Sequence, residues 1–159
     1  MPVELGQVTS LADVILQDHY ELIVAVVPGG GDGQSLNIRN LSTSLPGRKN
    51  SPVGVELHRH KVHFAGKRSY GNSLPASFIE SSDRKTWAAL LNWQNQMTDP
   101  ATGLPRPKSD YATTGIIKVY DSNNAVVEER TLYGLFITDL ADAQLSGQAN
   151  SSPLNVTCT

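Results

Sequence analysis

A single cysteine, Cys158, stands next to the last residue of this 159-residue chain. An internal disulfide is excluded, and so is a zinc site built on several thiolates. Cys158 is expected to be a spectator thiol in or just after a final strand. Long apolar runs are missing as well. The longest, Leu22 to Val27, falls far short of the roughly 20 residues that a membrane-spanning helix needs. Cationic excess is absent: 13 Lys and Arg face 15 Asp and Glu, for a formal net charge of −2. That balance argues against a surface built to grip nucleic acid. Aromatic residues make up only 6%, few for a ring-stacking platform of the carbohydrate-binding kind.

Catalytic signatures are equally thin. Neither Gly-x-Ser-x-Gly nor His-Glu-x-x-His occurs. Gly29 to Gly33 is glycine-rich and follows an apolar run, yet no helix is expected after it. No lysine stands where a phosphate-binding one belongs, so it reads as a flexible turn. His58-Arg59-His60 would aim both rings the same way if it lay on a strand, with Glu56 sharing that face. Such spacing occurs in metal sites, but no acidic cluster supports it here, and solvated or interface histidines are the expectation. Glu128 and Glu129 are adjacent, so on a strand they face opposite ways and cannot act as an acid–base pair. No catalytic residue, metal or cofactor is assigned, and the chain is not expected to be an enzyme.

What is present suits one domain over 1–159 with an N-terminal arm over 1–18. Hydrophobic residues make up 39% and charged residues 18%, an ordinary globular balance. Ser10 to Gln17 reads as a short amphipathic helix or an extended arm. His19 to Val27 is strand-like, and Leu36 to Leu41 alternates as a returning strand that would close a hairpin. Leu45 to Pro52 reads as a loop. Val53 to His58 and His60 to Ala65 alternate on either side of a kink at Arg59, and Gly66 to Leu74 is turn-rich. Pro75 to Glu80 is another strand.

Asp83 to Met97 predicts the one solid helix, with Ser82 as N-cap. Trp87, Leu90, Leu91 and Met97 form its apolar stripe, with Trp93 at the border. Trp87, Leu90 and Leu91 are the expected core contribution, and loss of the Trp87 ring should destabilise the subunit by about 3–5 kcal/mol. After a proline-rich loop over Thr98 to Ser109, Thr113 to Tyr120 and Ala125 to Phe136 flank the turn Asp121 to Asn124, with a bulge near Glu128-Glu129. Leu154 to Thr159 closes the set. About seven strands and one helix imply a mainly β, α+β fold: a β-sandwich or partly open barrel with a flanking helix.

The stretch His60 to Gln96 resembles the contractile-phage tail tube family. Lys61-Val62-His63-Phe64-Ala65-Gly66-Lys67-Arg68-Ser69-Tyr70 matches its basic strand running into an Ala-Gly turn. Ser77-Phe78-Ile79-Glu80 and a helix ending Leu91-Asn92-Trp93-Gln94 follow in the family's order. Gly115 to Tyr120, Asp121 and Leu132-Tyr133-Gly134-Leu135-Phe136-Ile137 look like its late hairpin, with Thr138 where proline is often found.

The resemblance implies homo-hexameric rings whose inner strands join into one continuous barrel, stacked as a hollow virion tail tube assembled in the host cytoplasm. A sheath protein, baseplate and tail terminator proteins would be partners. DNA would pass the lumen during ejection without specific binding. Arg48, Lys49, His58, Arg59 and His60 are candidate contacts between subunits or rings. Glu128 and Glu129, with Asp139 and Asp142 behind them, are candidate lumen-facing acids. The related tube of type VI secretion or of a phage-derived bacteriocin would share fold and hexamer. A β-sandwich carbohydrate-binding module is the alternative of a different class.

Overall fold

A computed structural model of the chain describes residues 15–143, 145 and 152–159. Of the segment Ser10 to Gln17, all but its last three residues lie outside that set. The described elements run β1 (Tyr20–Val24), α1 (Gly33–Arg39), β2 (Asn40–Thr43), β3 (Arg48–Leu57), β4 (His60–Tyr70) and β5 (Ala76–Ile79). Then come α2 (Lys85–Asn95), α3 (Lys108–Tyr111), β6 (Thr113–Tyr120), β7 (Val126–Leu135) and β8 (Asn155–Cys158).

Three antiparallel sheets result, ordered β1-β6-β7, β2-β5-β8 and β3-β4. The fold is β-rich α+β. The sequence expectation was a β-sandwich or partly open barrel; the chain by itself forms three sheets that share no strand and do not close into a barrel.

One core joins the two three-stranded sheets. Alternation puts Leu22 and Val24 of β1 beside Ile117 and Gly115 of β6, and Ala76 and Phe78 of β5 beside Cys158 and Val156 of β8. All of these inward residues except Gly115 belong to a single buried cluster with Leu36, Leu90, Trp93 and Ile137. Burial pushes the Cys158 thiol up to about 11.

Several expected elements need correction. Leu36 to Leu41 does not return as a strand. Its first four residues are in α1, and β1 pairs with β6 instead. The Asp32 carboxylate accepts from Gln34 N at 3.1 Å and starts that helix, while Asn37 Oδ1 accepts the Val24 N–H at 2.9 Å. A helix thus does follow the glycine-rich turn. It has seven residues and a carboxylate already at its N-terminus, so it offers no phosphate cradle. Leu45 to Pro52 is not all loop, since β3 begins at Arg48, and β4 runs on to Tyr70 through the stretch read as turns.

Helix α2 starts two residues later than expected, and Ser82 does not cap it. The N-cap position is Arg84, at φ 53 with no side-chain cap. The Glu80 carboxylate does the capping from outside, accepting from Trp87 N at 2.8 Å and Thr86 N at 3.3 Å. Arg39 Nη1 donates to Ser81 Oγ at 2.6 Å and Thr86 Oγ1 at 3.0 Å, so α1 is tied to the same end. A carboxylate on free helix N–H groups is a charge-assisted bond. Glu80→Ala is therefore expected to lower stability by about 1–2 kcal/mol. Urea unfolding should show a lower midpoint at unchanged slope, with Ser82→Ala near neutral; equal losses from both would return the cap to Ser82.

The buried face of α2 is Thr86, Leu90 and Trp93. Leu91 is 38% exposed, and Trp87 is only partly buried, beneath the Arg84 guanidinium at 5.8 Å from the ring centroid. The expected stripe is rotated: Trp93, not Trp87, is the tryptophan inside.

The β6–β7 hairpin forms as the sequence suggests. Asp121 Oδ1 accepts from Asn123 N and Ala125 N at 2.8 and 2.9 Å. The register slips between Val119–Glu128 and Tyr120–Val126, which makes Val127 the bulged residue, one position before the expected pair.

Candidate functional site

Strands β3 and β4 form a two-stranded arm. All residues on both are exposed except Gly66. An isolated hairpin of this kind is marginal in water, so this one needs explanation.

Locally it is well made. His58 and Arg59 form a two-residue loop with φ 46 and 67, and positive φ at both positions is the geometry whose twist suits a hairpin. Further down, Asn50 pairs with Arg68 and Pro52 with Ala65, so Gly66 and Lys67 oppose Ser51 as a bulge. A Cβ at Gly66 would lie 2.2 Å from the Ser51 carbonyl oxygen, which reserves that place for glycine. At the base, Gly71 N donates to Gly47 O at 3.0 Å, and Arg48 lies 6.0 Å from the Tyr70 ring centroid.

The two faces of the arm differ. Val53 pairs with Phe64, Val55 with Val62 and Leu57 with His60. Directly opposed residues share a face, so five apolar side chains stand together, each 37–52% exposed. Gly54, Glu56, Lys61 and His63 occupy the other face. An amphipathic surface left open on a monomer marks an interaction site more often than chance.

The expected contact residues fall on this arm: Arg48 and Lys49 at the start of β3, His58 and Arg59 in its tip, His60 at the start of β4. The tip separates His58 from His60, so the two do not share a continuous strand as the His-x-His reading required. Among the described residues no group of three or more His, Cys, Asp or Glu is placed to hold a metal.

Beside the arm lies β7. Arg130 Nη1 donates to Pro46 O at 2.7 Å and joins the strand to the arm's base. Glu128 pairs with Arg130 on the side of Ile117 and Val119, the inner face of the sheet. Glu129 is on the other face, in a row across three strands: Glu21 opposite Lys118, and Lys118 opposite Glu129. Lys118 Nζ is 3.9 Å from Glu129, and the Tyr120 hydroxyl donates to Glu21 at 2.9 Å. That bond to a carboxylate raises the Tyr120 phenol above its ordinary range. The structure thus separates Glu128 from Glu129, and only Glu129 joins the outer charged row. Asp139 and Asp142 lie in the segment before β8, both exposed.

The apolar face of the arm is what sequence reading missed. Its signal was there, as Val53-x-Val55-x-Leu57 and Val62-x-Phe64, but the assignment of Leu45 to Pro52 to a loop obscured how far the arm extends. No protein-family model matches the chain, and no curated protein is significantly similar to it.

Proposed function

We propose that this chain is a structural, ring-forming subunit of a hollow tube of the contractile-phage tail type. The observation that carries the reading is the arm: strands of ten and eleven residues, exposed along their length, with an apolar face that a lone subunit leaves in water. Long uncovered strand borders promote aggregation unless a specific partner takes them. Sister copies in a closed ring are such a partner, and the order of motifs from Lys61 to Ile137 resembles a family that assembles in that way. Six subunits would place their two three-stranded sheets as a sandwich around a shared barrel.

In that barrel the outer face of β1-β6-β7 is the natural lining. Its Glu21–Lys118–Glu129 row carries one more acid than base, and like charge keeps a passing polyanion from adhering. DNA would then move through without specific binding, while a sheath protein surrounds the tube and baseplate and terminator proteins close its ends.

The test is negative-stain microscopy of purified protein together with sedimentation velocity. Rings or tubes of uniform bore are the expected result. A strictly monomeric species at high concentration would overturn the reading.

A further inference from the structure

Two of the short outer strand borders are at least partly occupied among the described residues. The outer border of β8 is taken by the preceding segment: Ala141 N donates to Thr157 O at 2.9 Å and Thr159 N to Asp139 O at 2.9 Å. On β1, the Val24 N–H is taken by Asn37. Both of those strands, like β2, have five residues or fewer. The long borders are different. Strands β3, β4 and β7, of ten, eleven and ten residues, each pair on one side only. Among the described residues no backbone hydrogen bond reaches the other side of β7 or of β4 along their paired lengths.

Proline decides between the two borders of the arm. In a hairpin closed by a two-residue loop, the closing pair Leu57–His60 exchanges hydrogen bonds, and the pairs alternate from there. Pro52 opposite Ala65 is then a non-bonded pair, and its nitrogen faces outward. Proline has no N–H, so the outer border of β3 lacks a donor there, a common protection against further pairing. Strand β4 contains no proline, and the outward N–H groups of Lys61 and His63 are intact.

Charge names the partner. Between Arg48 and Tyr70 there are six Lys or Arg against the single acid Glu56, a balance of +5, while the whole chain is −2. The remainder of the sequence therefore carries −7, of which −5 falls on described residues. Glu128 and Glu129 stand near the start of β7, the one long border left on the body among the described residues, each beside a single base, Arg130 and Lys118.

We infer that the outer border of β4 in one copy pairs with the outer border of β7 in a second copy, with the arm's cations drawn to the acidic body of its neighbour. The inference rests on the self-assembly reading but fixes which borders meet. It makes association electrostatically steered, and so faster in low salt than in high.

The experiment compares two proline variants with the wild-type protein. His63→Pro removes an outward donor of β4 without touching its bonds to β3. Gly54→Pro, directly opposite, does the same on β3. Expected are a critical concentration for assembly raised about tenfold or more by His63→Pro, little change from Gly54→Pro, and unaltered far-UV circular dichroism of both monomers. Assembly of the wild type should also slow about tenfold between low and high salt. Rings formed equally well by both variants, or lost only in Gly54→Pro, would overturn the pairing and leave the tube reading standing. A wild-type protein that stays monomeric would overturn both. So would a monomer whose arm binds a duplex oligonucleotide, since its cations would then serve nucleic acid.

Discussion

Trp93→Ala is expected to lower the stability of the subunit by about 3–5 kcal/mol, the range for a large aromatic removed from a core. Trp93 is 5% exposed and sits in the cluster that joins both three-stranded sheets. Its indole N–H donates to Tyr111 O at 2.8 Å, which fixes α3 against α2. Tyr111 in turn meets Phe136 edge to face at 5.5 Å between centroids. Truncation would therefore open a cavity and orphan a carbonyl in one step. Trp87→Ala, by contrast, removes a partly exposed ring held by a guanidinium, and about 1–2 kcal/mol is the expected loss. Urea unfolding of the two variants side by side checks the order. Equal losses would mean that α2 presents both rings to the core.

Joint replacement of Val62 and Phe64 by serine should abolish rings while leaving the monomer nearly as stable as before. Both side chains are exposed on the arm, at 39 and 51%, and the cross-strand pairs they make with Val55 and Val53 are worth only about 0.2–1 kcal/mol each to the fold. Burial at an interface of what they now expose is worth roughly 2–3 kcal/mol per copy. That is about 30- to 150-fold in each association constant, compounded around a closed ring. Sedimentation velocity reads the assembly and urea unfolding the fold. A double variant that still builds tubes would show that the apolar face of the arm is not where copies meet.

The parts of the fold legible in the sequence are those held by local rules. The β6–β7 hairpin is readable because alternation and the Asp121 turn agree, and β5 and β8 because short β-branched or aromatic runs end at prolines or at the chain end. The existence of α2 is readable, but not its rotation, because its cap comes from Glu80, outside the helix and beyond the serine that looks like a cap. Helix α1 misleads for a similar reason. Leu36-Asn37-Ile38-Arg39 fits a two-residue period, yet Asp32 and Asn37 commit the backbone to a helical turn, and Ile38 ends 77% exposed. The start of β3 looks like a loop because Pro46, Gly47 and Pro52 are loop residues by composition, and only pairing with β4 makes it strand. The arm's residues were thus visible one by one. Which of its borders stay open was not, because a border is a statement about which strands lie side by side.

Cys158 has a practical consequence. Nucleophilic attack needs a thiolate, and a buried thiol with its titration moved to about 11 supplies almost none at neutral pH. Cys158 is therefore expected to react far more slowly with maleimides and methanethiosulfonates than an exposed thiol, so a cysteine introduced at the tip of the arm should be labelled ahead of it. Spin labels or fluorophores placed there can report distances between neighbouring molecules as they come together, with the natural residue left in place.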